Sequence, residues 1–342
     1  MVDLRFAVLG TGFWSNFQIP AWFEVGGAKL VAVYNRTTSK AKLIAEKFHV
    51  PRIYSDPEEL FQKEQLDFID IITEVSAHAP LVFLAAKHKI PVICQKPMGP
   101  DLETCRKMVA ACNDAGIPFM IHENYRWQTP IRALKKVLDD GTIGPILRAN
   151  IRWVHFLPFL FETQRSLKTL KHFALADMGS HLLDLVRFFF GEPDYLYCQH
   201  RRSRGDIAGE DLASVMLRVG QIICTCEISY SSQTEWGHFP ETLVFIEGTN
   251  GAIQLDTDYW LRITTANGTS CNRYPPPHYA WADPAWDVVH ASLVSCNADL
   301  LNAIKTGKAS STSAQDNLKT MRLVYAAYDS ASLNEVIVTR DT

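Results

Sequence analysis

The sequence predicts an α/β protein in two parts: a parallel sheet covered by helices, then an α+β region with an open, mostly antiparallel sheet. Up to Glu123, apolar strand-like runs alternate with helix-like segments, and this alternation favours a parallel sheet with helices on both faces. After Glu123, strand-like runs are separated by turn signals such as Asn267-Gly268, which is typical of antiparallel pairing. We therefore predict one domain over residues 1–123 and a second over 124–342.

Apolar periodicity places the elements of the first domain. Strands are predicted at residues 4–9, 29–34, 66–73, 90–94 and 117–121, and helices at 39–48, 77–88 and 101–115. The last helix begins at Asp101, where a carboxylate can cap free N–H groups, and stops before Gly116, which can adopt the left-handed conformation that closes a helix.

The second domain is predicted to contain strands at residues 146–156, 195–202, 211–219, 222–230, 242–248, 252–255 and 261–265. Its helices are predicted after Pro130, from 177 to 190, and at 288–306 and 314–330. Along the strand at 211–219, one face carries Leu212 and Met216, and the other carries Val215 and Leu217. A sheet that is apolar on both faces needs two covering layers. We therefore expect a second copy of the chain on this sheet, in a homodimer or homotetramer.

The composition is that of a globular protein, with 342 residues, 47% hydrophobic residues, 21% charged residues and a formal net charge of −3. This balance does not indicate binding to nucleic acid or to a membrane. The eight cysteines form no C-x-x-C pair, and none pairs with a histidine at zinc spacing. We therefore predict reduced thiols, no metal site and a cytoplasmic location. The first predicted strand begins close to Met1, so no signal peptide is expected.

A glycine-rich turn, GTGFWS at residues 10–15, follows the first predicted strand. Gly10 permits a tight turn, Gly12 allows a close backbone approach, and the N–H groups of the following helix attract a diphosphate. Ser15 replaces the third glycine of the usual motif, and an ordinary strand-to-helix turn is the alternative interpretation. Because the motif opens the α/β pattern, we predict a Rossmann domain whose dinucleotide site includes Gly10, Gly12, Phe13 and Trp14. Core packing is the other role considered for Trp14.

The choice of cofactor depends on the end of the second predicted strand. NAD-specific sites place an acidic residue there to bind the ribose 2′-hydroxyl, whereas this chain has Asn35 and Arg36. Asn35 can bind a free hydroxyl, and Arg36 can pair with a 2′-phosphate or stack on adenine. We therefore predict that both NAD and NADP are accepted. If Arg36 instead points to solvent, Asn35 alone favours NAD.

Lys96 and His181 have the chemistry that a hydroxyl-oxidising site needs. Lys96 follows the strand predicted at 90–94, at the end where ligands bind in such sheets, and its ammonium can hold a hydroxyl or stabilise an alkoxide. His181 lies four residues after Asp177 at the start of a predicted helix. Its imidazole can take a hydroxyl proton, and the carboxylate can orient the ring. The alternatives are a surface lysine, a structural histidine and an aspartate that only caps the helix.

Further motifs make the chain resemble the Gfo/Idh/MocA family, named for glucose–fructose oxidoreductase and inositol dehydrogenase. Besides the glycine-rich turn, the resemblance rests on Thr73, His78, Gln95-Lys96-Pro97, Asn124-Tyr125-Arg126-Trp127, Pro130, residues 141–144, the run Asp177-x-Gly179-x-His181-x-x-Asp184 and residues 327–330. It covers nearly the whole chain. The chain departs from the family pattern at Gln95, where glutamate is usual, and at Ser15, Gln18 and Glu74.

The resemblance implies an NAD(P)-dependent dehydrogenase or reductase that acts on a sugar or polyol hydroxyl, with an aldose as the leading substrate. It implies that His181 is the base, that Lys96 holds the reacting oxygen, and that Asp177 orients His181 or binds a neighbouring hydroxyl. Further cofactor contacts are expected from Thr73, His78, Gln95 and Lys96. Substrate contacts are expected from Lys96, His122, Asn124, Arg126, Trp127, Asp177 and His181.

Some alternatives stay open. Arg126 and Trp127 can line the substrate pocket or join the two domains. A glycosidase that oxidises its substrate transiently with bound NAD would use the same residues. A sugar- or nucleotide-sensing regulator could keep the fold without the chemistry, but such a protein has no need of both Lys96 and His181.

Overall fold

The computed structural model describes residues 3–234 and 239–340. Contacts between residues divide the chain into two compact units. The first unit comprises the chain up to Asn124 together with Leu293–Met321, and the second comprises Tyr125–Ser292 together with the chain from Arg322 onward. Each unit is built on its own sheet.

The first unit has a six-stranded sheet in which all neighbouring strands run parallel. Its strands are β1 (Leu4–Leu9), β2 (Ala28–Tyr34), β3 (Arg52–Tyr54), β4 (Phe68–Ile71), β5 (Val92–Gln95) and β6 (Phe119–His122). Their spatial order is β3-β2-β1-β4-β5-β6. The order reverses between β1 and β4, so the loops after these strands diverge and open a ligand crevice at the carboxyl ends. The predicted Rossmann fold is confirmed.

Helices connect these strands: α1 (Ser15–Val25), α2 (Thr38–Phe48), α3 (Pro57–Lys63), α4 (His78–Lys87) and α5 (Leu102–Ala115). The ends of α5 are as predicted: the Asp101 carboxylate accepts the Thr104 N–H at 2.7 Å, and Gly116 follows with φ of 69°. The sequence analysis missed β3 and α3. Strand β3 has three residues and buries only Tyr54, which leaves no apolar periodicity to detect.

The second unit has a nine-stranded sheet in the order β14-β13-β12-β11-β7-β10-β9-β8-β15. Its strands are β7 (Ile146–Val154), β8 (Tyr195–Arg201), β9 (Leu212–Val219), β10 (Ile222–Ser229), β11 (Leu243–Gly248), β12 (Gly251–Leu255), β13 (Trp260–Thr265), β14 (Gly268–Arg273) and β15 (Ile337–Val338). Strands β7 and β10 pair in parallel, and the other neighbours are antiparallel. The predicted open, mostly antiparallel sheet is confirmed. Strand β14 was missed because all of its residues are exposed.

The remaining helices are α6 (Thr129–Asp139), α7 (Pro158–Thr163), α8 (Ser180–Phe190), α9 (Asp287–Thr306) and α10 (Ala314–Leu333). A π-helical turn, Leu175–Gly179, leads directly into α8. Such turns are rare and occur frequently at functional sites. This one was not predicted, because the sequence analysis began the helix at residue 177.

The segment Leu293–Met321, with most of α9 and the start of α10, belongs to the first unit. It lies against the edge strand β6, where the Ile121 N–H donates to the Thr312 carbonyl at 2.9 Å. The sequence analysis assigned this segment to the second domain, because it divided the chain into two consecutive pieces. An edge strand presents unpaired backbone groups, and here a distant part of the chain pairs with them.

The two faces of the second sheet differ in character. On β9, Val215 and Leu217 are buried in the core of the unit, whereas Met216 on the opposite face is 55% exposed. The exposed face also carries charged pairs such as Arg148 with Glu247, 2.6 Å apart. The expectation of an apolar second face is therefore correct only in part.

All eight cysteines are free thiols, and all but Cys271 are buried. Over residues 3–234 and 239–340, we find no group of three or more His, Cys, Asp or Glu side chains that could hold a metal ion. No helix in the same ranges has both the length and the apolar character needed to span a membrane.

Candidate functional site

The glycine-rich turn joins β1 to α1. Gly10 has φ of +109°, and a Cβ there would lie 2.4 Å from the Ile72 carbonyl oxygen, so only glycine fits. At Gly12, by contrast, a Cβ would meet nothing within 4 Å. Ser15, in place of the third glycine, closes the turn by donating its hydroxyl to the Gly12 carbonyl at 2.7 Å. The turn therefore has open space beside Gly12, as a bound diphosphate requires.

Thr73 lies beside this turn, in the segment after β4. Its hydroxyl oxygen is buried and has no hydrogen-bond partner in the part of the chain that the structure describes. A buried polar atom without a partner is rare and calls for an explanation. A ligand group in the crevice beside Gly10 would supply that partner. The open space at Gly12 and the hydroxyl of Thr73 together fit a dinucleotide.

Asn35 and Arg36 follow β2 on the other side of the turn. The Asn35 side-chain amide donates to the Thr11 hydroxyl, and its carbonyl oxygen accepts the Thr37 N–H at 2.9 Å. Asn35 thereby fixes the turn relative to the end of β2. Arg36 is exposed, and none of the ion pairs found within residues 3–234 and 239–340 involves it.

Phe13 and Trp14 form an aromatic cluster with Phe17 at the start of α1. The ring centroids of Trp14 and Phe17 are 5.4 Å apart, and those of Phe13 and Phe17 are 5.1 Å apart. The Phe13 and Trp14 side chains are half-buried. For Trp14 this contact supports the packing role. Cofactor contact by Phe13 and Trp14 stays a prediction.

Lys96 is half-buried directly after β5. Its backbone N–H donates to the Gln95 side-chain oxygen at 2.9 Å. His78 supports the same region from α4: its Nδ1 lies 3.1 Å from the Pro97 carbonyl, and its Nε2 lies 3.2 Å from the Thr73 carbonyl. Burial lowers the pKa of His78, and its contacts with the carbonyl groups of Thr73, Met98 and Pro97 raise it. His78 therefore ties together the loops after β4 and β5, and its predicted cofactor contact stays untested.

Asp70, which the sequence analysis missed, lies at the centre of a buried polar network. Its carboxylate accepts N–H donors from Gln18, at 2.7 and 2.8 Å, and from the Trp22 indole at 2.7 Å. Burial raises the pKa of Asp70 to about 7, whereas these hydrogen bonds lower it. The available signal was an acidic residue inside an otherwise apolar strand.

His122 ends β6 and is fully buried. Its Nε2 lies 2.8 Å from the Asn297 side-chain oxygen, and because that oxygen only accepts, Nε2 carries the proton. The Asn297 amide nitrogen is buried without a partner in the described part of the chain. Asn124, two residues beyond His122, is half-buried. Substrate contact by His122 and Asn124 stays a prediction.

In the second unit, His181 lies in the first turn of α8 and is 3% exposed. Its ring stacks on Tyr125, with centroids 3.8 Å apart and planes inclined by 12°. The stack fixes the plane of the imidazole and so restricts the directions in which its nitrogens point. Tyr125 was quoted in the family motif but was not selected as a site residue.

Asp177 lies in the π-helical turn before α8. Its own N–H donates to the Phe173 carbonyl at 2.8 Å, so the alternative interpretation of Asp177 as the helix N-cap is wrong. The Tyr230 hydroxyl donates to the Asp177 carboxylate. Burial and the nearby Asp177 charge raise the pKa of Tyr230 well above its usual value. The Tyr230 hydroxyl therefore keeps its proton, and its hydrogen bond holds the Asp177 carboxylate in place.

Arg126 and Trp127 follow Tyr125. The Arg126 guanidinium forms a fork with Asp184 on α8, with N–O distances of 2.5 and 2.7 Å, and both side chains are buried. This pairing anchors α8 and gives Arg126 a structural role, so it lends no support to substrate binding. The Trp127 indole N–H is buried without a partner in the described residues. The Arg132 guanidinium lies 5.0 Å from the Trp127 ring.

Within each unit the predicted residues therefore fall into compact groups. The first unit brings Gly10, Gly12 and Thr73 to the carboxyl ends of β1 and β4, with Lys96 at the end of the adjacent strand. The second unit places His181 and Asp177 on one continuous helical segment.

Comparison with known proteins gives matches over most of the chain. Residues 4–123 match the model of an oxidoreductase family with an NAD-binding Rossmann fold, and residues 131–254 match the GFO/IDH/MocA C-terminal domain. A D-apiose dehydrogenase from Rhizobium rhizogenes is 37% identical over 339 residues, which cover 97% of this chain and 96% of the relative.

Solved structures agree with these matches. An oxidoreductase from Agrobacterium radiobacter, solved with NAD+, L-tartaric acid and magnesium, superposes with a TM-score of 0.96 at 36% identity over 99% of both chains. Levoglucosan dehydrogenase in complex with NADH and levoglucosan has a TM-score of 0.86 at 21% identity, over 99% of this chain and 100% of that chain, and so shares the fold. The chain therefore belongs to the GFO/IDH/MocA oxidoreductase family.

Proposed function

We propose that this oxidoreductase is a dehydrogenase that oxidises a hydroxyl of an aldose, with D-apiose as the first substrate to test. The coarser assignment, an NAD-binding enzyme of a sugar dehydrogenase family, is given by the matches above. The observation that carries the proposal is that Lys96 and the buried, stacked His181 are both present in a chain that matches a named D-apiose dehydrogenase along 97% of its length.

In this proposal, His181 takes the proton of the reacting hydroxyl. Its stack on Tyr125 holds the imidazole so that a ring nitrogen is presented to the substrate without further ordering of the side chain. The Lys96 ammonium donates a hydrogen bond to the same oxygen and stabilises the negative charge that develops on it. Asp177, held by Tyr230, accepts a hydrogen bond from a neighbouring hydroxyl or from His181. Bound NAD or NADP supplies the hydride acceptor.

A panel of aldoses and polyols that includes D-apiose, assayed with each cofactor by absorbance of the reduced nicotinamide, tests this proposal. We expect one reduced nicotinamide for each sugar oxidised. Cleavage of a glycoside without net reduction of the cofactor would instead identify the glycosidase. Sugar binding without any chemistry, measured by calorimetry, would identify a regulator.

For the cofactor, we propose that both NAD and NADP are accepted and that Arg36 contacts the 2′-phosphate. Replacing Arg36 by alanine is expected to weaken NADPH binding by about tenfold or more, because a charge-assisted hydrogen bond is worth about 1.5–3 kcal/mol. NADH binding should change little. Fluorescence titration of both reduced cofactors measures the effect, and Lys42→Ala on α2, also exposed, is the matched control. An equal effect of Arg36→Ala on both cofactors would refute the phosphate contact.

We also propose that the exposed face of the second sheet joins copies of the chain in a homodimer or homotetramer. Met216 and Ile223 on this face are 55% and 46% exposed, and Phe245 lies on the same side of the sheet. Light scattering at micromolar concentration should give a multiple of the chain mass, and Met216→Lys should lower it. Leu43→Lys, at a site on α2 that is 67% exposed, should leave the mass unchanged. A monomer mass for the parent protein would contradict this proposal.

A further inference from the structure

Four polar groups of the first unit form a continuous hydrogen-bonded chain that ends at Lys96. The Asp70 carboxylate accepts the Gln18 amide N–H at 2.7 Å. The Gln18 side-chain oxygen accepts the Gln95 amide N–H at 2.8 Å. The Gln95 side-chain oxygen accepts the backbone N–H of Lys96 at 2.9 Å. This hydrogen-bonded chain crosses from β4 to β5 by way of α1, and Gln18 and Asp70 are fully buried.

The chemistry of its two ends, the Asp70 carboxylate and the Lys96 N–H, gives this hydrogen-bonded chain one direction. An ionised carboxylate only accepts hydrogen bonds, so Gln18 must turn its NH2 group toward Asp70 and its oxygen toward Gln95. Gln95 then turns its own NH2 group toward Gln18 and its oxygen toward the Lys96 N–H. Either amide in the opposite orientation places two donors or two acceptors against each other. Because these groups are buried, such a mismatch is costly.

We propose that Asp70 is a positioning residue for Lys96, which it orients through the side-chain amides of Gln18 and Gln95. The proposal rests on the function given above for Lys96 and extends it to a carboxylate that never touches the substrate. The second hydrogen bond to Asp70, from Trp22 at 2.7 Å, holds the carboxylate itself in place. The backbone at the end of β5 is thereby fixed by a charge on the adjacent strand.

Reversing the donor-to-acceptor direction of the hydrogen-bonded chain tests the proposal. In Asp70→Asn, the Trp22 indole N–H keeps the new side-chain oxygen at the Oδ2 position, so the new NH2 group takes the Oδ1 position against the NH2 group of Gln18. We expect Gln18 to flip in response and Gln95 to follow, so that the Lys96 N–H loses its acceptor. Gln95→Glu alone places a carboxylate oxygen against the Gln18 oxygen. The double variant Asp70→Asn/Gln95→Glu restores every pair. Its introduced asparagine donates to Gln18, Gln18 donates to the introduced glutamate, and the carboxylate of that glutamate accepts the Lys96 N–H.

The backbone N–H of Lys96 can be observed directly. Gln-Lys dipeptides occur at Gln62-Lys63 and Gln95-Lys96. Labelling glutamine with ¹³C at the carbonyl carbon and lysine with ¹⁵N therefore gives two correlation signals, with Lys63 as the internal control. In the two variants that carry Gln95→Glu, glutamate is labelled in place of glutamine, and the pair Glu46-Lys47 gives the control signal. Spectra are taken at about pH 8, one unit above the pKa of about 7 that burial gives Asp70. The matched control is Asp67→Asn, at the exposed residue directly before β4, whose carboxylate accepts the Arg5 N–H.

In Asp70→Asn, we expect the Lys96 proton signal to move upfield and its exchange with solvent to speed up about threefold to tenfold, as for the loss of one hydrogen bond. The Lys63 signal should not move. We also expect kcat to fall about 10- to 100-fold, because a small displacement of a catalytic group has effects of this size. The double variant should recover both properties toward the parent values. Asp67→Asn should leave both unchanged.

A parent-like Lys96 signal in Asp70→Asn would overturn the proposal. A collapsed Lys63 signal would show that Asp70→Asn does not fold. In that case Gln95→Glu is compared with the double variant. The proposal is overturned if the Lys96 signal of the double variant is no closer to the parent signal than that of Gln95→Glu. If the Lys96 signals behave as expected but no sugar is oxidised even by the parent, the positioning stands and the proposed function fails.

Discussion

Replacing His181 by alanine will lower kcat by roughly 10²- to 10⁴-fold, the range that a general base contributes. The alanine variant leaves the hydroxyl proton without an acceptor, and hydride cannot leave the carbon readily while the oxygen keeps that proton. Affinity for NADH should barely change, since all the residues predicted to bind the cofactor lie in the first unit. Steady-state kinetics with the best substrate of the sugar panel, together with fluorescence titration of NADH, measure both quantities.

His181 is buried and stacked on Tyr125, so its loss also removes packing. A His181→Gln variant keeps more of the side-chain volume and a hydrogen-bonding group, and it should lose activity to a similar extent while melting closer to the parent. His200→Ala, on the exposed end of β8, is the matched control and should retain full activity. Turnover within a few fold of the parent in His181→Ala would remove His181 from the mechanism.

Lys96→Ala is expected to reduce kcat by about 10²- to 10³-fold, as measured when one donor to a developing oxyanion is removed. The fold should persist, because the side chain is only half-buried at the end of β5 and its hydrogen bond to Gln95 uses the backbone N–H. Thermal melting followed by circular dichroism checks the fold, and the sugar assay checks kcat.

Lys87→Ala provides the comparison for Lys96. Lys87 is an exposed lysine at the end of α4 that pairs with Glu58 at 3.0 Å, and an exposed ion pair of this kind contributes little to stability. This variant should behave as the parent in both measurements. If Lys96→Ala also kept parent-like turnover and a cooperative melt, Lys96 would be an ordinary surface lysine.

The departure at Gln95 acquires a physical explanation from the structure. A neutral amide at this position cannot orient itself, because its two ends are similar in size and opposite in hydrogen bonding. The charge that gives Gln95 its direction lies on Asp70, one strand away. The sequence analysis noted Gln95 and Gln18 as separate departures, and only their hydrogen bond shows that they form one network.

The sequence by itself determined the two fold classes, the glycine-rich turn and the positions of Lys96 and His181. These features are local: strand and helix periodicity, turn signals and short motifs depend on residues within a few positions of each other. Strands β7 to β13 and helix α5 were predicted to within a few residues for this reason. Strand β14 was missed because its residues are exposed and carry no periodic signal.

The tertiary structure alone decided which polar groups pair. Gln18 and Asp70 are 52 residues apart in the chain, Asp177 and Tyr230 are 53 apart, and His122 and Asn297 are 175 apart. No short-range pattern encodes such pairs, because each depends on how whole elements pack. Burial then makes every unpaired polar atom costly, so packing selects the partners that hold Lys96, Asp177 and His122 in place.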